Sequence, residues 1–209
     1  MRLKVCGMTQ PGQVEALEEL GVAFSGFIFY PKSPRYVLRH ITTQQIKGFK
    51  NINKVGVFVN ANADDVLHMV DECRLHLVQL HGDETPKYCE RIADYISVVK
   101  VFRIGEQDNI AWKIREYMDV CDMFLFDTAG AGFGGTGHKF NWDILKEVPI
   151  GKPYFLSGGI GPDDVDSVKD FAGSTAGKAL FSLDINSKFE TAPGVKDLKK
   201  IEDFINQLK

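Results

Sequence analysis

Short apolar runs recur roughly every 25 residues along the chain, with amphipathic segments between them. The runs predicted as strands are 3–6, 24–29, 55–59, 77–80, 97–101, 123–126, 154–156 and 180–184. They are rich in Val, Ile, Leu and Phe and hardly alternate with polar residues, as strands buried on both faces do. The intervening segments 13–20, 43–49, 63–73, 86–93, 110–118, 142–146, 163–171 and 195–208 are predicted as helices. Several carry start signals. Asn62 precedes Ala63, with Asp64 and Asp65 in the first turn. Thr85-Pro86 and Gly161-Pro162-Asp163-Asp164 place a proline at the first helical turn. The segment around Trp142 is the weakest helix, since Pro149 and Gly151 follow closely.

Eight strands alternating with eight helices imply a parallel sheet with right-handed crossovers. An open sheet of this kind would expose two very hydrophobic edges. Closing the eight units on themselves removes both, so the expected α/β fold is a (β/α)8 barrel, the TIM barrel. At 209 residues it would be a single domain, 1–209, with short loops and no inserted unit.

Composition narrows the function classes. Hydrophobic residues make up 44% and charged residues 25%, as in a soluble globular protein. Lys plus Arg number 25 against 28 Asp plus Glu, a net charge of −3, and no basic block points to nucleic acid. No apolar run approaches the ~20 residues that span a bilayer. The N-terminus runs directly into a strand-like segment without a leader pattern, so the expected location is cytoplasmic. A monomer and a homodimer are both compatible with this composition. Of the four cysteines, Cys73, Cys89 and Cys121 read as small buried hydrophobes. No C-x-x-C pair occurs. Cys6 differs, because it ends an apolar strand before a glycine.

In such barrels the active site forms at the C-terminal ends of the strands. Cys6 ends strand 1 and Asp127 ends strand 6, so both point to a common mouth. A thiolate accepting a proton and a carboxylic acid donating one is a pairing suited to an isomerisation. Gly134 and Gly135 lie in a glycine-rich stretch after strand 6 that permits close approach to a ligand. Ser157, Gly158 and Gly159 follow strand 7, and Asp184, Asn186 and Ser187 end strand 8, where Asn186-Ser187 is placed to begin a short helix. Loops after strands 7 and 8 form the usual phosphate site of this fold, using backbone N–H groups. Arg35 sits in a loop with two prolines, a rigid mount for a guanidinium facing a carboxylate. His81, at the end of strand 4, is either a second acid/base group or a hydrogen-bonding residue of the pocket, and the second role is preferred. His40 and His138 read as loop residues. No cluster has metal-ligand spacing, so no metal and no cofactor are expected.

These residues sit in motifs that resemble phosphoribosylanthranilate isomerases of tryptophan biosynthesis. The motifs are Lys4-Val5-Cys6-Gly7-Met8-Thr9, Gly26-Phe27-Ile28-Phe29 with Ser33-Pro34-Arg35, and Val57-Phe58-Val59-Asn60. Val78-Gln79-Leu80-His81-Gly82-Asp83-Glu84, Phe126-Asp127, and Gly134-Gly135-Thr136-Gly137 with Phe140-Asn141-Trp142 continue the series. Ser157-Gly158-Gly159-Ile160 and Pro193-Gly194 with Lys196-Asp197 complete it, so the resemblance covers nearly the whole chain. It implies a cofactor-independent Amadori rearrangement of N-(5′-phosphoribosyl)anthranilate, an intramolecular oxidoreduction of aldose–ketose type. It also implies Cys6 as general base and Asp127 as general acid. Arg35 would bind the anthranilate carboxylate, and the backbone around Gly158, Gly159, Asn186 and Ser187 the phosphate. One departure is Lys188, where the family usually carries a glycine. The runner-up, a histidine-pathway isomerase with the same chemistry, typically has an aspartate where this chain has Cys6. A silent phosphate-binding barrel would need neither Cys6 nor Asp127.

Overall fold

The computed structural model describes residues 1–129 and 140–209. Eight parallel strands close into a barrel in chain order: β1 (Leu3–Cys6), β2 (Phe24–Ile28), β3 (Asn53–Phe58), β4 (Leu77–Leu80), β5 (Val98–Ile104), β6 (Met123–Thr128), β7 (Tyr154–Leu156) and β8 (Leu180–Ile185). The closing seam pairs β1 with β8 in the register Leu3↔Leu183, Lys4↔Asp184, Val5↔Ile185. Every strand therefore has two neighbours, which is why apolar runs without alternation are tolerated here.

Two layers of apolar side chains follow from strand alternation. On β1, Leu3 and Val5 join the core between sheet and helices, while Lys4 and Cys6 point into the barrel. Phe24, Val55, Leu77, Val99, Val101, Leu125 and Phe155 fill the interior as a separate cluster. Each such side chain contributes roughly 1.5–3 kcal/mol relative to exposure. The interior is therefore solid, and a ligand has access only at the mouth.

The helices are α1 (Pro11–Glu19), α2 (Thr43–Gly48), α3 (Ala63–Cys73), α4 (Pro86–Ala93), α5 (Ile110–Ile114), α6 (Val165–Ala172) and α7 (Leu198–Leu208). The expected caps are present: Asn62 Oδ1 accepts from the Asp64 N–H at 2.9 Å, and Thr85 Oγ1 from the Tyr88 N–H at 3.3 Å. Four helices differ from expectation, among them 163–171, which opens with a 3-10 turn, Pro162–Asp164, before α6 begins at Val165. The segment at 142–146 is a 3-10 helix, Trp142–Glu147, because the chain must turn before Pro149 and has no second α-turn to propagate. The expected helix 110–118 is α5 followed by a 3-10 turn, Arg115–Tyr117. The expected helix 195–208 starts only at Leu198, capped by Asp197, whose Oδ1 accepts from the Lys200 N–H at 3.1 Å. The residues before it belong elsewhere. Val195–Lys196 forms β10, which pairs antiparallel with β9 (Glu190–Ala192) across the Pro193-Gly194 turn.

Candidate active site

A cleft partly open to solvent lies at the C-terminal end of the barrel. Cys6, Arg35, His81, Asp127, Ser157, Gly159, Asp184, Asn186 and Ser187 all line it. The ends of six strands, β1, β2, β4, β6, β7 and β8, thus bring together residues far apart in the chain.

Cys6 sits on the floor of this cleft. The Cys6 thiol is buried, at 5% exposure. One step deeper on β1, Lys4 donates from Nζ to Asp184 Oδ1 across the barrel seam at 2.9 Å. Cys6 is in register with Gly26 of β2. A Cβ at Gly26 would lie 2.9 Å from Cys6 Sγ and 3.2 Å from Lys4 Nζ, so only glycine leaves room for both groups. Burial pushes the Cys6 thiol up from its ordinary pKa. The Lys4 ammonium is the first influence opposing that rise, with Lys196 adding to it, while Asp184 works the other way. For Lys4, burial favours the neutral amine, but Asp184 and the Cys6 sulfur outweigh it and hold the pKa above the usual lysine value.

Asp127 stands across the mouth on β6. Its Oδ1 accepts from the Thr128 N–H at 2.9 Å, and its Oδ2 lies 3.4 Å from His81 Nε2. Gln79 Nε2 and His81 Nδ1 are 3.3 Å apart. Neither His81 Nε2 nor Gln79 Oε1 has a hydrogen-bond partner among the described residues, so the imidazole approaches Asp127 without a formed hydrogen bond. His81 lies beside the Asp127 carboxyl in the cleft lining. The turn carrying His81 is itself clamped. Glu84 accepts from the Gly82 N–H at 3.1 and 3.0 Å and from the Asn60 N–H at 2.8 Å, and Lys100 Nζ donates to Glu84 Oε2 at 2.8 Å and to the Gly82 carbonyl at 2.8 Å.

Arg35 is held by the β9–β10 hairpin. Its Nε donates to Glu190 Oε1 and Oε2 at 2.9 and 3.1 Å, and its Nη2 to Oε2 at 2.6 Å. Lys196 Nζ donates to Glu190 Oε1 at 2.7 Å and to Asn186 Oδ1 at 2.8 Å. The Arg35 backbone N–H is anchored by Ser33 Oγ at 3.1 Å. One edge of the guanidinium is thus committed to Glu190, and Arg35 still lines the cleft.

The rim after β7 and β8 has the expected turns. Gly158 has φ +89° and backs onto Thr128, while Gly159, φ +73°, faces the cleft beside Ser157 and Ser187. A single 3-10 turn, Ser187–Phe189, begins where the short helix is expected. The Asn186 side chain is engaged by Lys196. Lys188 is exposed, and its Cβ and Cγ lie against Gly161 outside the cleft lining. Gly134, Gly135 and His138 lie outside the described residues.

Four site residues escaped the sequence argument: Lys4, Glu84, Glu190 and Lys196. A charged residue inside an apolar strand, as at Lys4, is the signal that marks a buried pair. All four cysteines are free and buried. Among the described residues no group of three or more His, Cys, Asp and Glu is placed to hold a metal ion. Among the same residues no helix is long and apolar enough to cross a membrane.

Comparison with known proteins agrees with this geometry. The family model for N-(5′-phosphoribosyl)anthranilate (PRA) isomerase matches residues 3–207. An N-(5′-phosphoribosyl)anthranilate isomerase of Phocaeicola vulgatus is 41% identical over 210 residues, covering 100% of this chain and 98% of its own. The crystal structure of phosphoribosyl anthranilate isomerase from Thermotoga maritima superposes with a TM-score of 0.85 at 31% identity, covering 100% of this chain and 98% of that one. A further phosphoribosyl anthranilate isomerase, solved in complex with reduced 1-(o-carboxyphenylamino)-1-deoxyribulose 5-phosphate, matches with a TM-score of 0.80 at 29% identity over the same shares. The chain belongs to the N-(5′-phosphoribosyl)anthranilate isomerase family.

Proposed function

We propose that the mouth of this barrel performs the isomerisation of its family, with Asp127 as general acid and Cys6 as general base. The observation that carries this reading is that a thiol from β1 and a carboxyl from β6 face one cleft whose rim bears Gly159 and Ser187. The substrate would be N-(5′-phosphoribosyl)anthranilate, and the product 1-(2-carboxyphenylamino)-1-deoxyribulose 5-phosphate.

Asp127 delivers its proton to the ribose ring oxygen as the C1′–O4′ bond breaks, which opens the furanose to a Schiff base. The Cys6 thiolate then removes the proton from C2′ and gives an enolamine. Loss of the 2′-hydroxyl proton and protonation at C1′ yield the aminoketose. His81, with Nε2 3.4 Å from Asp127 Oδ2, stands beside the acid at the mouth. Arg35, steadied by Glu190, meets the anthranilate carboxylate with its free edge, and the backbone N–H groups near Gly159 and Ser187 receive the phosphate.

The test is a fluorescence assay with phosphoribosylanthranilate formed in situ from anthranilate and phosphoribosyl pyrophosphate by a phosphoribosyltransferase, with no metal added beyond what that enzyme needs. Rapid loss of substrate fluorescence with wild type, absent with Cys6→Ala, supports both the reaction and the base. No loss with wild type overturns the reading.

A further inference from the structure

We propose that Lys4 is a positioning residue for Cys6: its buried ammonium, lying between Asp184 and the Cys6 sulfur, stabilises the thiolate that the reaction requires. The inference rests on the base role given to Cys6 above.

Three placements carry it. Lys4 and Cys6 are two residues apart on β1, so both side chains enter the barrel on the same face. The register of the closing seam sets Lys4 opposite Asp184, and the register with β2 sets Cys6 opposite Gly26. The missing Cβ of Gly26 leaves a gap into which both Lys4 Nζ and Cys6 Sγ project, each within 3.2 Å of one point. Lys4 is 1% exposed and has three N–H donors, of which Asp184 Oδ1 takes one.

A structural role alone explains this pair poorly. Taking two charges out of water costs about as much as their attraction returns, and an apolar pair of similar volume is often at least as stable. The neighbouring interior positions are filled by Phe24, Val55 and Leu77, so an apolar solution is available to this barrel. What an apolar pair cannot supply is a fixed cation beside a sulfur that must become an anion.

The charged groups facing Cys6 come from four elements. Lys4 lies on its own strand, Asp184 on β8, Lys196 on β10, and Arg35 on the loop after β2. Asp127 and His81 face Asp184 from β6 and β4. Lys196 and Arg35 are both engaged by Glu190, and Lys4, itself paired with Asp184, is the cation with the largest favourable influence on the thiolate. Burial opposes the thiolate and the Lys4 ammonium favours it, the direction a general base needs.

The test follows the pH dependence of Cys6 alkylation by iodoacetamide, read on the Cys6 peptide by mass spectrometry, beside the pH profile of kcat. The variants are Lys4→Met, Asp184→Asn and Lys4→Met/Asp184→Asn. Lys4→Met is expected to move the Cys6 titration up by about one pH unit or more, and to lower kcat near neutrality about tenfold with partial recovery at high pH. KM should change little. Should Lys4→Met fail to fold with Asp184 left unpaired, the double variant is compared with Asp184→Asn, where the same upward shift is expected. Superimposable titrations in either comparison overturn the proposal. Near-normal turnover by Cys6→Ala would instead remove the base role, and it leaves the effect of Lys4 on the thiol titration standing as a separate result.

Discussion

Arg35 and Glu190, 155 positions apart in the chain, form a two-pronged ion pair at the mouth of the barrel, with Nε and Nη2 of the guanidinium both on the carboxylate. Lys196 approaches the same carboxylate from the hairpin side at 2.7 Å. Glu190 is therefore shared by two cations, and its own side chain is only 4% exposed. The arrangement fixes the guanidinium plane and leaves the remaining N–H groups for a ligand.

Loss of Arg35 should act on binding first. A hydrogen bond to a charged group contributes about 1.5–3 kcal/mol, so Arg35→Ala should raise KM roughly 10- to 100-fold with a smaller fall in kcat. Glu190→Gln should raise KM in the same sense, because the guanidinium loses its orienting charge. Steady-state kinetics check both, and an unchanged KM in Arg35→Ala would remove the carboxylate-binding role.

The same clamp predicts an acid limb of stability. Burial favours the neutral carboxyl of Glu190, but Arg35 and Lys196 overcome it and hold its pKa below the ordinary value. A carboxylate depressed by folding stabilises the native state above its unfolded pKa, about 4.3, and that stability disappears as pH falls through the lower folded value. Urea unfolding across this range should show stability falling below pH about 4, with a shallower fall in Glu190→Gln. Equal slopes in the two proteins would contradict the shared-carboxylate account.

If Asp127 and Cys6 move protons along one reaction path, Cys6→Ala and Asp127→Asn should each lower kcat by about 10²–10⁴-fold and leave KM nearly unchanged. Near-normal turnover in either variant assigns that proton transfer to another group.

Two glycines give a contrast in stability. At Gly158, φ is +89°, and a Cβ would lie 2.4 Å from Thr128 Oγ1 and 2.9 Å from the Thr128 backbone N. Gly158→Ala should cost about 1–3 kcal/mol and raise KM, since it displaces the rim next to Gly159. Gly12, in α1, has an ordinary helical position, and a Cβ added there would meet only open space. Gly12→Ala should stabilise by about 0.5–1 kcal/mol without touching kinetics. Thermal melts should shift in opposite directions for the two variants, and a shared direction would contradict the contrast.

Much of the frame was legible in the chain. Apolar runs such as Leu77–Leu80 and Tyr154–Leu156 coincide with β4 and β7, because a strand buried on both faces cannot tolerate polar alternation. Cap residues Asn62 and Thr85 marked helix starts because they satisfy local N–H groups within three residues. Val195 continues an apolar period that reads as helix, whereas the turn at Pro193-Gly194 commits Val195 and Lys196 to β10 and α7 starts only at Leu198. Local pattern does not reveal that commitment, since the partner strand supplies the hydrogen bonds.

The order of residues alone sets the number and succession of the strands, their closure into a barrel, and the gathering of Cys6, Arg35, His81, Asp127, Ser157 and Asp184 at one end. Side-chain period and strand direction follow from neighbouring residues, so these properties can be read locally. Which charges meet was settled by packing in three dimensions: Lys4 with Asp184 across the closing seam, and Glu190 with both Arg35 and Lys196. Such pairs depend on the register of strands far apart in the chain and on the hairpin folding back over the mouth. A buried charge announces in sequence that it needs a partner, but only the folded chain selects that partner.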